Sequence, residues 1–119
     1  MKLSSTEEMY LIYIKKLACQ NGYVRNADIV QETNKRKSTI SKAMKKLEEK
    51  QLIYISNHNI TLTATGIQAV SSVENKHSNI VDVLIKIGAT KEIAEDNAGR
   101  IEHVITDELS QILNNYLHS

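Results

Sequence analysis

Lys35-Arg36-Lys37-Ser38-Thr39-Ile40-Ser41-Lys42-Ala43-Met44-Lys45-Lys46-Leu47-Glu48-Glu49-Lys50 is the stretch on which the reading of this 119-residue chain turns. Ile40, Ala43, Met44 and Leu47 recur at steps of three and four, which on a 3.6-residue helix makes one narrow apolar face. Every other position is polar. Seven of the sixteen residues are Lys or Arg and only Glu48 and Glu49 oppose them. The pattern predicts a helix that anchors on one side and offers cations and short hydroxyls on the other, opening at Lys37-Ser38-Thr39.

Working upstream, Ser4 and Ser5 precede Glu7 and Glu8 at capping-box spacing, so a first helix starts there. Its stripe is Tyr10, Leu11, Ile14, Leu17 and Ala18, and Asn21-Gly22 ends it. Tyr23-Val24-Arg25 reads as a short extended link. Asn26 then caps a short second helix that closes near Thr33-Asn34. Downstream the period changes to that of strands at Leu52–Ile55 and Ile60–Thr63, with Ser56-Asn57-His58-Asn59 as a polar hairpin turn. The rest reads as helical: a long helix from about Gly66 to Ile87, a break at Gly88, a short segment capped by Thr90, and a final helix whose stripe runs from Ile101 through Val104, Ile105, Leu109, Ile112 and Leu113 to Tyr116 and Leu117.

Helix, short helix, turn, basic helix, hairpin is the order of a winged helix-turn-helix. Its reading helix must dock by an apolar stripe and turn groups outward that neutralise phosphates and reach base edges. Here those groups are Arg25, Lys35, Arg36, Lys37, Ser38, Thr39, Ser41, Lys42 and Lys46, with Lys45 extending the positive surface. The hairpin has no Lys or Arg, so only a weak contact is expected from it. A helix with surplus lysines is the bland alternative; the element order and the charge distribution decide against it.

The net charge of +1 conceals that distribution. Through Gly66 there are eleven Lys/Arg against six Asp/Glu, a net of +5; from Ile67 onward there are four against eight, a net of −4. One half is built to meet a polyanion and the other is not. Apolar runs are far shorter than the roughly 20 residues of a bilayer span, and no signal-peptide core follows Met1-Lys2, so a cytoplasmic protein without membrane association is expected. Cys19 is the only cysteine, read as a semi-buried apolar residue. No Ser-His-Asp order, phosphate-binding glycine loop or carboxylate pair supports an enzyme.

Five stretches, Glu7-Glu8-Met9-Tyr10, Gly22-Tyr23-Val24-Arg25, Ser38-Thr39-Ile40-Ser41-Lys42, Leu62-Thr63-Ala64-Thr65-Gly66 and Arg100-Ile101-Glu102-His103-Val104, together resemble the diphtheria toxin repressor and manganese transport regulator family of metal-dependent repressors. The resemblance implies an α+β, mostly helical fold: a winged helix-turn-helix DNA-binding domain over residues 1–65 and a helical dimerisation and metal-binding domain over 66–119. It implies a homodimer on a palindromic double-stranded DNA operator, repression of transcription, and control by manganese or ferrous iron. With the chain ending at Ser119, the expectation is a short form without the SH3-like domain of longer iron-type members.

Carried over by position, Met9, His77, Glu102 and His103 are the metal ligands. Gly99 stands where the family has Cys or Glu, Ile12 where the manganese type has Glu, and Val81 where the iron type has an acidic residue. Glu8, Glu95 and Asp82 lie nearby in sequence as substitute carboxylates. Manganese and iron favour several oxygen and nitrogen donors in near-octahedral arrangements, so three strong ligands with water completing the shell imply a weakened site. The alternatives are a winged-helix regulator of the multiple-antibiotic-resistance type without metal control, and a winged-helix adaptor that binds protein.

Overall fold

The computed structural model describes residues 3–118, which form two compact units that divide between Val70 and Ser71. In the first, α1 (Ser5–Asn21), α2 (Asn26–Thr33) and α3 (Lys37–Glu49) precede strands β1 (Ile53–Ser56) and β2 (Asn59–Leu62). Helix α4 (Ala64–Lys86) begins in this unit and continues into the second, where α5 (Lys91–Ile101) and α6 (Asp107–Leu117) follow.

Local chemistry sets most of these boundaries. Ser4 accepts from the Glu7 N–H while the Glu7 carboxylate accepts from the Ser4 N–H, both at 3.1 Å. This is the capping box the sequence predicts. Gly22 closes α1 in the left-handed conformation at φ 78°. At α2 the structure differs: the helix starts at Asn26 itself, and Asp28 caps it by accepting from the Arg25 N–H at 2.8 Å. Asn26 is left free to use its amide elsewhere.

The hairpin is tighter than the sequence reading had it. Ile53 pairs with Leu62 and Ser56 with Asn59, leaving Asn57 and His58 as a two-residue turn. Both have positive φ, 50° and 65°, as a type I′ connection requires. Each strand thus runs one residue further into the turn than expected and stops one residue short at its base, while Ile55 still faces Ile60. The wing is tied to the α1–α2 link: the Ile60 N–H donates to the Val24 carbonyl at 2.8 Å, and the Val24 N–H donates to Asn59 Oδ1 at 3.0 Å.

Leu11, Ile14, Val24, Ile29, Ile40, Met44, Leu47, Leu52, Ile53 and Val70 are almost wholly buried in the first unit. The face of α3 predicted to anchor is the one buried. With no Phe or Trp available, the core is aliphatic apart from Tyr10. Gly66 lets α4 start close against the hairpin base, since a Cβ there would run into the Leu52 carbonyl oxygen.

In the second unit α4 ends in a Schellman arrangement, with Ala89 N–H donating to Leu84 O at 2.9 Å and Gly88 N–H to Ile85 O at 3.1 Å. Thr90 caps α5 by accepting from Ile93 N–H. The predicted final helix over Ile101–Leu117 is in fact two pieces. α5 stops at Ile101, a turn follows, and Thr106 caps α6 by accepting from the Leu109 N–H at 3.1 Å. The apolar spacing runs on through the turn, but Thr106 followed by Asp107 and Glu108 is a strong start signal that the stripe masks. Ile80, Val81, Ala94 and Ala98 form the small buried core here. Val81 therefore serves packing. Among the described residues no helix is long and apolar enough to cross a membrane.

Candidate nucleic-acid interface and candidate metal centre

The outward face of α3 gathers most of the predicted contact residues. Lys35, Arg36, Lys37, Ser38 and Thr39 are all exposed at its N-terminal end, and Ser41, Lys42, Lys45 and Lys46 continue the exposed face. Arg36 is the N-cap residue, with no side-chain capping bond, and the first turn holds no acid. Helix dipoles favour acids at the N-terminus and cations at the C-terminus, by about 0.3–1 kcal/mol each. α3 departs from this at its start, where Lys37 stands and no acid does, while Lys46 in the last turn follows it. With Lys35 and Arg36 just before the helix, positive potential is concentrated at its N-terminal end.

Neighbours hold this face in place. Lys35 lies over the Tyr10 ring at 5.4 Å, and Arg25, exposed beside α2, lies over the Tyr23 ring at 5.7 Å. Asn26 Nδ2 donates to Ser41 Oγ at 3.4 Å, a link between the two helices that sequence reasoning assigned to capping. On the wing, Tyr54 is 52% exposed, on the strand face opposite the buried Ile53.

The metal-ligand candidates divide between the units. Met9 lies on α1 in the first, 39% exposed. Ile12, on the same helix, packs against the first unit's core. His77, Glu102 and His103 all lie in the second. His77 is on α4, Glu102 is the C-cap residue of α5, and His103 follows in the turn. His77 Nδ1 hydrogen-bonds to Glu102 Oε2, and His103 Nε2 lies 3.4 Å from Glu102 Oε1. His77 Nε2 meets Glu95 Oε2 at 2.7 Å. Glu95 is thus the substitute carboxylate that the fold brings in, one helical turn before Gly99. At Gly99 an added Cβ would meet nothing within 4 Å.

Partial burial works against a charge on His77, but the Glu95 and Glu102 carboxylates outweigh it and raise its pKa above 6.5. Glu102 and His103 are nearly enclosed, with 11% and 13% of their side chains exposed. Among the described residues no three His, Cys, Asp or Glu side chains converge on one ready-made cation seat. The donor types at His77, Glu102 and His103, two imidazoles and a carboxylate, are of the N/O kind that manganese, iron and zinc accept. A cation would take the position of the His77 proton rather than enter a preformed cage.

Comparison with known proteins agrees with both halves. Residues 63–119 match the model of the iron-dependent repressor metal-binding and dimerisation domain. An uncharacterised HTH-type transcriptional regulator of Methanocaldococcus jannaschii is 28% identical over 90% of this chain and 84% of its own. A hypothetical protein of Sulfolobus solfataricus superposes with a TM-score of 0.86 at 25% identity, covering 97% of this chain and 89% of that one. The structure of ScaR with bound Zn2+ matches with a TM-score of 0.83 at 27% identity over 94% of this chain. The present chain spans only 53% of ScaR, which is a manganese-activated repressor.

Proposed function

We propose that the chain is a member of the diphtheria toxin repressor and manganese transport regulator family of metal-dependent transcriptional regulators, and that it is a cytoplasmic, sequence-specific DNA-binding repressor that works as a homodimer under divalent-metal control. The family is one of regulators, not enzymes. The observation that carries the reading is α3: Ile40, Met44 and Leu47 are buried while Lys37, Lys42, Lys45 and Lys46 are exposed along its outer face, and its first turn holds no acid. Lys35, Arg36, Lys37, Lys42 and Lys46, with Arg25 alongside, contact phosphates and guanine edges. Ser38, Thr39 and Ser41 are short enough to reach bases closely.

The second unit supports self-association. Ile85, Ile87, Ile93, Val104, Leu109, Ile112 and Tyr116 are exposed there, between 42% and 72%, a density of large apolar side chains that monomeric surfaces seldom carry. A two-fold dimer reads a palindrome, with half-sites about 34 Å apart, one turn of the duplex.

His77, Glu102 and His103, with Met9 as a fourth candidate, would hold the metal. When bound, manganese or ferrous iron supplies a positive charge that these side chains coordinate in place of protons. Glu102 faces both imidazoles, so it gathers the donors. Any control of DNA affinity follows from tighter metal binding to the DNA-competent state, and by linkage DNA tightens metal to the same degree.

Fluorescence anisotropy on duplexes selected from a random pool tests this, at two salt concentrations, with and without Mn2+. A palindromic consensus, a steep salt slope and tighter binding with metal are expected. Binding to no duplex at low salt with metal present refutes the reading and favours a protein-binding adaptor. Specific binding indifferent to Mn2+, Fe2+ and Zn2+ leaves a regulator without metal control.

A further inference from the structure

We propose that Asn26 is a positioning residue for base reading: its amide holds the Ser41 hydroxyl so that Ser41 donates to the base it faces and selects against cytosine there. The proposal rests on the reading of α3 as the helix that enters the groove. Asn26 opens α2, and a side chain of its type commonly serves a helix start. Here Asp28 takes that role, accepting from the Arg25 N–H at 2.8 Å. The half-buried Asn26 carboxamide instead reaches the second turn of α3, where Nδ2 donates to Ser41 Oγ at 3.4 Å.

Ser41 stands in the exposed face of α3, one turn on from Lys37 and Ser38 and one turn before Lys45, with Ile40 and Met44 buried behind it. A serine inside a helix often turns its hydroxyl back to the carbonyl four residues earlier, here that of Lys37. Among the described residues Ser41 makes no such bond; its partner is Asn26 Nδ2, which can only donate. Oγ is therefore the acceptor, and its proton is left for a group outside the protein. A hydroxyl that accepts is also polarised into a stronger donor. In the major groove guanine offers two acceptors, N7 and O6, whereas cytosine shows only its N4 amino group, itself a donor. An outward-donating hydroxyl favours guanine and meets cytosine donor to donor. The turn that sets α3 against α2 is closed by its own bonds: Asn34 is left-handed at φ 57°, and the Lys35 N–H donates to Thr33 Oγ1 at 3.3 Å.

Duplexes selected from a random pool and sequenced give a base preference at every position of the half-site. Ser41→Ala should erase the preference at one position, which marks the base that Ser41 faces. In Asn26→Ala the discrimination against cytosine at that position should fall about 2–10-fold, the worth of one hydrogen bond, with the other positions unchanged. Asn26→Asp separates positioning from a merely structural role. Its carboxylate accepts the Ser41 proton instead of donating, which turns a lone pair outward, so the preference at that position should move towards cytosine. The added negative charge weakens binding to all duplexes alike and leaves the order of bases elsewhere as it was. Both Asn26 variants should melt with the parent protein, since the bond they alter lies at the surface. Unchanged base preference in both Asn26 variants overturns the proposal and leaves the reading of α3 standing. So does a Ser41→Ala protein weakened equally on every sequence, as the loss of a phosphate contact would make it. Failure of the unaltered protein to select any duplex overturns both.

Discussion

Alanine at each of two helical glycines should move stability in opposite directions. Gly66 lies in the first turn of α4 and Gly99 inside α5. In a helix interior, Gly→Ala is favourable by about 1 kcal/mol, through lower chain entropy in the unfolded state. Gly99→Ala adds a methyl to open space, so that gain should appear nearly whole, at about 0.5–1 kcal/mol. At Gly66 the new Cβ would press into the Leu52 carbonyl oxygen, with the carbonyl carbon at 3.1 Å and Leu62 Cδ2 at 3.3 Å. That carbonyl cannot swing aside freely, because it accepts from the Thr63 N–H at 3.1 Å. Overpacking of a well-packed site costs about 1–3 kcal/mol, and loosening the Thr63 bond about 1 kcal/mol more. After the propensity gain the net loss is about 2 kcal/mol. Guanidinium unfolding of both variants reads the sign. With a slope of roughly 4 kcal/mol/M the Gly66→Ala midpoint should fall by about 0.5 M. Hydrogen exchange at the Met44 and Leu47 amides should report the loss in the first unit. A Gly66→Ala protein as stable as the parent would mean that α4 does not seat against the hairpin base, and the packing argument would fail.

Lys42→Ala should weaken operator binding and reduce the log–log salt slope by about 0.9, the share of one phosphate; an unchanged slope would remove Lys42 from the interface. Ile112, 62% exposed on α6, should be central to the dimer. Ile112→Glu forfeits about 1.5–3 kcal/mol of side-chain burial per copy, so sedimentation should show dimerisation weakened roughly 100-fold or more, and a dimer that persists would place the interface elsewhere. Glu7 has an acid-side role. Partial burial disfavours its charge, but Lys50 Nζ at 2.6 Å, with Ser4, more than compensates and holds its pKa below 4.5. A depressed carboxylate contributes stability above its unfolded pKa and loses it as pH falls through the folded one. Glu7→Gln should therefore lower stability at neutral pH and flatten its decline below about pH 5; parallel stability curves would show that the Lys50 pair carries no net energy.

The metal candidates show where reading by position runs out. Ile12 and Val81 stand at ligand positions of the family, yet both are packing residues here. Glu95 is one of three nearby carboxylates in the sequence, and nothing there sets it apart from Glu8 and Asp82. Its role depends on α4 and α5 lying close enough for a carboxylate to reach a ring nitrogen, a contact between residues eighteen apart in sequence. Asn26 is similar: its type and place suit a cap, and only the approach of α3 gives its amide the Ser41 hydroxyl instead.

What the chain determined unaided is what depends on near neighbours: the 3.6-residue stripe of α3, the Ser4–Glu7 box, the glycine stops at 22 and 88, the change of period at the wing, and the separation of charge between the halves. Such features rest on contacts within a few residues or on composition, so they can be read before folding. Tertiary structure decided the rest. The wing was tied to the α1–α2 link by the Val24 bonds to Ile60 and Asn59, the approach of α3 gave Asn26 its Ser41 partner, and the packing of α5 on α4 brought Glu95 to His77. Each of these outcomes is a competition between local preferences that are nearly balanced, and it is settled only when distant segments meet.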